Sequence, residues 1–237
     1  MKKMIVALLF TFWLPALQVG AEEVSAKPLA SRESKLMKLL DGWNVELGGG
    51  RAFHPGTAET GQMEGWSNSS VFTARVGYTP KLTKGYLEVQ GEYADFMGYD
   101  SATRDHNTWG FTDKNRSLGI TTWSLNLKLK APLKVKQVML TPYIVTGVGR
   151  AHVTMSSHAK AIGNAGNVIQ EEEATASGSG NCVKIGGGMD VNLYKNVYLW
   201  SEFTLSKIGV VAMEGAGDTF NMSPYTSTAV GGLGLRF

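Results

Sequence analysis

Three residues in one short stretch could carry nucleophilic chemistry: Ser101, Asp105 and His106. A serine nucleophile needs an imidazole base within hydrogen-bonding reach and a carboxylate that orients the base. Nearness in sequence does not establish either contact, and all three residue types are ordinary in hydrated loops. We therefore expect no catalytic residue in this stretch.

Metal chemistry is the second possibility, and its candidate ligands are His152, His158 and the run Glu171-Glu172-Glu173. Imidazole and carboxylate groups do bind divalent cations, but this spacing matches no defined zinc or calcium site. The sequence predicts a solvated acidic loop, or one that shares cations with lipopolysaccharide phosphates, with no dedicated metal site and no cofactor.

A larger set of charged residues recurs at alternate positions of otherwise apolar segments. If these segments are strands, alternate residues share one face, and charges that share an enclosed face must pair or stay hydrated. We predict an interior network of ion pairs and hydrogen bonds, with a narrow polar path as the alternative. Its members are Glu46, Arg75, Glu88, Glu92, Lys128, Lys184, Asp190, Glu202 and Arg236.

Alternation of apolar and polar residues predicts eight strands. In the sixth, Val183 and Ile185 oppose Lys184, whereas in the fifth Ile144 and Tyr143 leave the faces unassigned. The predicted strands are 43–51, 70–78, 86–96, 117–130, 138–150, 181–193, 197–206 and 226–237.

The connections between these strands alternate in length. Three are short, at 79–84, 131–137 and 194–196, and four are long and polar, at 53–69, 97–116, 151–180 and 207–225. Strands long enough to cross a bilayer, joined by alternately short and long connections, are typical of a transmembrane β-barrel. The fold class predicted is all-β: an eight-stranded antiparallel transmembrane β-barrel with short periplasmic turns and long outer loops. A ten-stranded barrel, with extra strands from 151–180, is the alternative.

Composition and charge agree with a single barrel domain. The chain has 237 residues, 29 of them Gly, and a net charge of +3 that falls to about +1 without Lys2 and Lys3. This charge gives no basis for binding nucleic acid. The single Cys182 cannot form an internal disulfide, and we expect a buried, unreactive thiol.

The two ends of the chain carry export and assembly signals. Lys2 and Lys3 precede an apolar run, and small residues precede a cleavage site after Ala21, as in a secretory signal peptide. We expect residues 1–21 to be removed, residues 22–42 to be a periplasmic lead-in with a short helix as the alternative, and residues 43–237 to form the barrel. The last strand closes on Phe237.

The glycine-rich closing strand, the alternating loops and the motif Pro142-Tyr143 followed by Gly147-Val148-Gly149 resemble the small OmpA/OmpX-type barrels of the bacterial outer membrane. This resemblance implies a monomer in contact with outer-membrane lipids and lipopolysaccharide. It also implies that Phe237 is read by the barrel-assembly machinery. A girdle of aromatic residues is expected at the membrane interface, formed by Trp43, Tyr78, Tyr86, Trp123, Tyr143 and Phe237.

Function does not follow from such a fold. The chain lacks the His-x-Ser-Asn-type motif of barrel enzymes that act on lipid A or phospholipids, since Ser67-Asn68-Ser69 has no adjacent His. We expect a structural or surface-interaction protein without catalytic activity, in which long loops meet an extracellular ligand. The alternatives are a narrow channel for small or apolar solutes and a lipid A or phospholipid hydrolase. The loop residues considered for ligand contact are His54, Trp66, Trp109 and His158.

Overall fold

The computed structural model describes residues 40–57, 68–107, 110–135, 138–164, 167–215 and 218–237. The signal peptide and most of the lead-in predicted from the sequence lie outside these residues, as does Trp66. Within the described residues, no helix is both long and apolar enough to cross a membrane. The strands are β1 Trp43–Thr57, β2 Ser69–Tyr78, β3 Leu87–Asn107, β4 Gly110–Lys130, β5 Leu133–Val135, β6 Val138–Gly163, β7 Val168–Tyr194, β8 Val197–Ile208, β9 Val211–Gly215, β10 Asp218–Met222 and β11 Pro224–Arg236.

Eight of these strands form a closed antiparallel ring in the order β1-β2-β3-β4-β6-β7-β8-β11, and β11 pairs back with β1. Closure satisfies the backbone groups that an edge strand would leave unpaired. The register at the seam places Leu47 opposite Leu233 and Gly50 opposite Val230. The predicted eight-stranded ring is therefore confirmed.

The alternation in the sequence becomes two faces of the ring. Along β8, Trp200 and Glu202 are buried inside, while Phe203 and Leu205 are half exposed on the outside. Exposed apolar side chains cover the outer face of the other ring strands too, and an apolar surface of this extent is suited to lipid contact. The outer band includes Leu47, Val76, Leu125, Leu127, Ile144, Val148, Val183, Ile185, Leu233 and Leu235.

The two ends of the ring differ, and we name them by their connections. At the turn end, short connections join β2 to β3, β4 to β6 and β7 to β8. At the hairpin end, β3 and β4 stay paired as far as Asn107 and Gly110, and β6 and β7 pair as far as Ile162 and Val168. The segments 97–116 and 151–180, predicted as loops, are thus mostly paired strand.

These longer strands decide the strand count. Residues 151–163 and 168–180 extend β6 and β7 and add no strand to the ring, so the ten-stranded alternative is wrong. The segment 207–225 contains a small hairpin, β9–β10. Polarity suggested irregular loops here, but regular antiparallel pairing satisfies the backbone of a polar segment equally well.

Candidate functional site: the barrel interior and the projecting sheet

The charged residues singled out by the sequence lie inside the ring. Eight of the nine are buried, and Arg236 is partly exposed at the turn end. Lys130, which sequence reasoning missed, is buried with them. It lies at the end of β4, two residues after Lys128, so the same alternation places its side chain inside the ring. Five carboxylates thereby meet five cations: Glu46, Glu88, Glu92, Asp190 and Glu202 with Arg75, Lys128, Lys130, Lys184 and Arg236.

Arg75 is the centre of the network. Its Nε lies 2.6 Å from Glu92 Oε2, its Nη2 lies 2.6 Å from Glu202 Oε1, and its Nη1 lies 3.4 Å from Glu46 Oε2. The guanidinium also stacks over the Trp200 ring, 4.2 Å from its centroid. A planar, permanently charged fork suits this role because it meets several carboxylates in fixed directions.

Lysines complete the pairing around Arg75. Lys184 Nζ lies 2.6 Å from Glu92 Oε1. Lys128 Nζ donates to both carboxylate oxygens of Glu46, at 3.1 and 3.2 Å. Glu46 also accepts a 2.9 Å hydrogen bond from the Tyr198 hydroxyl. Buried carboxylates are tolerated in such an enclosure because their charge is paired and their oxygens are hydrogen-bonded.

A third group of ion pairs lies nearest the turn end. Lys130 pairs with Glu88 and lies 3.3 Å from Asp190 Oδ2. Arg236 Nη2 lies 3.4 Å from the same Asp190 oxygen, and its guanidinium stacks over Tyr198. Strands β3, β4, β7 and β11 are thereby linked across the lumen by side chains.

Three aromatic rings fill the space around these charges, and each lies against a glycine. A Cβ added at Gly48 would overlap the Trp200 ring, and one added at Gly234 would overlap Tyr198. Gly188 makes room in the same way for Tyr143. The prediction that Tyr143 belongs to an outer aromatic girdle is wrong: its ring is buried, and its hydroxyl donates to Glu202 Oε2 at 3.1 Å.

Tyr143 also settles the faces of β6, which the sequence left open. Tyr143 and Val145 point inward and are buried, whereas Ile144 and Val148 are each 62% exposed. The remaining girdle candidates are exposed on the outside, led by Trp123 at 65%. Trp43 and Tyr78 are in contact there, with their rings tilted by 47° and their centroids 5.3 Å apart.

Toward the hairpin end the interior becomes apolar, a change the sequence reading did not anticipate. Between the two parts, Thr204 and Thr228 share a 2.6 Å hydrogen bond. A cavity of about 30 Å³ lies at this boundary, with room for only about one or two water molecules. The apolar part contains Ala52, Val71, Phe96, Tyr99, Leu118, Ile120, Ala151, Val153, Ile208, Val211, Met213 and Met222.

Beyond the ring, four strands continue as what we call the projecting sheet: residues 100–107, 110–117, 156–163 and 168–175 of β3, β4, β6 and β7. A groove of about 400 Å³ lies on it. Nine of its ten lining residues carry hydroxyl, amide, imidazole or charged groups, which can hydrogen-bond a polar ligand. The lining residues are Asp100, Ser101, Ala102, Asn115, Arg116, Ser117, Ser156, Ser157, His158 and Glu173.

The groove borders an exposed hydrogen bond between a histidine and a glutamate. His158 Nε2 lies 2.8 Å from Glu171 Oε1, with about half of each side chain exposed. The hydrogen bond from His158, aided by the charge of Lys160, lowers the pKa of Glu171 below its ordinary value.

The catalytic and metal-binding candidates are not assembled into a site by the described residues. Ser101 lines the groove. The side chains of Asp105, His106, His54 and Trp109 are not among those that the structure describes. His152 lies within hydrogen-bonding distance of two neutral side chains, Ser179 and Thr154. Across the described ranges, no three His, Cys, Asp or Glu residues are grouped to hold a metal ion.

Cys182 lies at the boundary between the polar and apolar parts of the interior. It is 7% exposed and lines the small cavity. The sequence expectation of a buried thiol agrees with this position.

The fold resembles that of small outer-membrane barrels. Neisserial surface protein A matches with a TM-score of 0.50 at 10% identity, over 83% of this chain and 98% of that one. A major outer membrane protein from Thermus thermophilus matches with a TM-score of 0.46 at 14% identity, over 82% and 99%. No protein-family model and no curated protein sequence matches this chain. The first likeness shows that the chain has the fold of an eight-stranded outer-membrane β-barrel.

Proposed function

We propose that the protein is a monomeric barrel of the bacterial outer membrane that acts at the cell surface through the projecting sheet, without catalysis. In this arrangement the turn end faces the periplasm, the outer apolar band contacts lipid, and Phe237 serves the assembly machinery. Residues 1–21 are the export signal in the same proposal. The band of half-exposed Leu, Val, Ile and Phe side chains supports the membrane location, because it would be unfavourable in water.

One observation carries the surface role: the interior is filled, whereas the groove outside is open. The charged network and the apolar part occupy the lumen one after the other and leave a cavity of about 30 Å³. A solute path needs a continuous, hydrated pore. The groove of about 400 Å³ is therefore the larger space available to a ligand.

The chemistry of the groove indicates the class of ligand. Serine hydroxyls and the Asn115 amide both donate and accept hydrogen bonds, while Arg116 and Glu173 supply opposite charges. These groups suit a hydroxyl-rich or zwitterionic ligand. Ligand recognition by segments on a rigid barrel is a common arrangement.

Binding of refolded protein to an array of soluble oligosaccharides and short charged peptides tests the proposal. We expect retained ligands whose binding falls roughly tenfold in Arg116→Ala, as for the loss of one charged hydrogen bond. Lys134→Ala, an exposed cation in β5 at the opposite end, is the matched control and should bind normally. Binding that is equal in both variants would contradict the groove assignment.

Two further measurements test the rival functions. Potassium chloride conductance across planar bilayers containing the protein should stay at the baseline, and a steady conductance would overturn the filled lumen. Mass spectrometry of outer-membrane lipids, with and without the gene, should show the same acylation. A changed pattern that Ser101→Ala abolishes would overturn the absence of catalysis.

A further inference from the structure

Two exposed cations flank one strand on the outer face of the barrel, close to the border of the apolar band that faces the hairpin end. Arg150 of β6 pairs directly with Asn181 of β7, and Lys207 of β8 pairs with Val183 of β7. Directly paired residues share a face, and Asn181 and Val183 are two residues apart, so all four lie on the same outer face. We call this set the cationic border patch.

The cationic border patch differs from the interior in its charge balance. Every interior cation touches a carboxylate, but within the described part of the chain neither Arg150 nor Lys207 takes part in an ion pair. The exposed amide of Asn181 lies between them. Glu214, opposite Ser177, is four residues further along β7 from Asn181. The patch therefore has a net positive charge without an acidic partner of its own.

Its geometry suits a single anion. Strands on either side of a common neighbour are about 10 Å apart, and the two-residue offset between the partners of Arg150 and Lys207 adds about 7 Å along the strand. The two Cα atoms are therefore about 12 Å apart, a distance that extended Arg and Lys side chains can close from both sides. Arginine and lysine together are well suited to a phosphate, with the guanidinium binding two oxygens and the ammonium acting as a compact charge.

The surface beneath the cations determines which phosphate would bind. Val148 is 62% exposed, Val183 53%, Ile185 64% and Leu205 53%, and all four lie on the strands of the patch, toward the turn end. Trp123, paired with Arg150, is 65% exposed beside them. Cations with an indole above a continuous apolar surface match an amphiphile with a phosphate head and acyl chains.

We propose that the cationic border patch binds a phosphorylated lipid of the outer leaflet, with the phosphate held between Arg150 and Lys207 and the acyl chains on the apolar surface below. The inference rests on the proposed outer-membrane location. It concerns a different surface from the groove of the projecting sheet.

Native mass spectrometry of the refolded full chain in non-ionic detergent provides the test, with bis-phosphorylated lipid A as the probe. We expect a bound lipid whose occupancy falls roughly tenfold or more in the double variant Arg150→Gln/Lys207→Gln, because two charge-assisted contacts are lost. Arg51→Gln is the matched control. Arg51 is also an exposed cation on the outer face, but the strand beyond its neighbour Ala229 carries Phe203 at that level, where the patch has a second cation.

Three results would overturn the proposal: equal binding of dephosphorylated lipid A, an equal loss in Arg51→Gln, or full competition by inorganic phosphate. The last would show a phosphate site that does not use the apolar surface. Strand content by circular dichroism checks that the variants fold. Membrane fractionation and ligand binding in the groove should be unchanged in the double variant, so failure of the lipid site is distinguishable from failure of the proposed function.

Discussion

The two parts of the barrel interior fill the same kind of space in opposite ways. Near the turn end, five carboxylates and five cations pair across the lumen, whereas near the hairpin end Leu118, Ile120 and Val153 pack without charge. The strands of the ring line both parts. The difference therefore comes from the residues at alternate positions and not from the backbone.

One closed lumen thus combines a part in which particular partners must be present with a part that accepts substitutions of similar volume. A charged interior requires each partner to be present, because a buried charge left alone is unfavourable. An apolar interior requires only volume and shape, and volume-conserving changes are tolerated. We infer that the charged part fixes how the strands meet, while the apolar part mainly excludes water.

Arg75→Ala should produce the largest effect, since it leaves Glu46, Glu92 and Glu202 without their shared cation. We expect the free energy of unfolding to fall by about 3–5 kcal/mol. Urea unfolding of the protein in lipid vesicles, followed by tryptophan fluorescence, measures this change. Arg51→Ala removes an exposed cation and should change stability by less than about 0.5 kcal/mol. Equal effects of the two variants would contradict the shared-cation role.

Leu118→Ala tests the apolar part. Leu118 is fully buried, so its truncation should lower the free energy of unfolding by about 2–5 kcal/mol through lost burial and a new cavity. Leu118→Met keeps most of the volume and should cost less than about 1.5 kcal/mol. The same unfolding assay compares the two. If Leu118→Met were as damaging as Leu118→Ala, the interpretation of this part as shape-tolerant packing would be wrong.

Gly48→Ala probes the contact between backbone and aromatic ring in the charged part. An added methyl group would overlap Trp200, and relief of such overpacking typically requires shifts costing about 1–3 kcal/mol. Gly91→Ala is the control, because its nearest neighbour would be 3.9 Å away. The unfolding midpoint should fall for Gly48→Ala, and the same substitution should cause a smaller fall in a Trp200→Leu background, where only the Gly231 carbonyl oxygen remains close to the added methyl group. An equal fall in both backgrounds would show that the ring is not the obstacle.

The sequence predicted the ring and its charged face because both follow from period-two alternation. Glu46, Arg75 and Glu202 could be placed inside before their partners were known. Which carboxylate meets which cation depends on the stagger between strands, and no local pattern encodes that stagger. The central position of Arg75 was therefore not predictable.

The wrong or missing predictions have a related cause: a local sequence pattern does not show which residues meet across the sheet. Tyr143 follows a proline in a strand where both alternate sets contain apolar residues, so its burial depended on the space left by Gly188 across the sheet. The apolar part of the lumen was missed because Ile120 and Val153 on an inner face look like lipid-facing residues. The projecting sheet was missed because polar strands and polar loops share a composition.

The smallest effect on stability is expected for the exposed contact between His158 and Glu171, in contrast to the buried network. His158→Ala removes the main cause of the lowered pKa of Glu171, so that pKa should rise toward its ordinary value. Because the pKa is lower in the folded state, any stability from this pair is complete above the unfolded-state pKa and is lost as pH falls through the folded one.

Carbon-13 NMR titration of the glutamate carboxyl groups measures the change, and Lys160→Ala should give a smaller rise because its charge is the second cause. The unfolding midpoint should stay the same, since exposed pairs contribute little in water. An unchanged Glu171 pKa in His158→Ala would contradict the hydrogen bond. A large loss of stability would show that the pair behaves like the interior network, and would remove the contrast between the projecting sheet and the charged lumen.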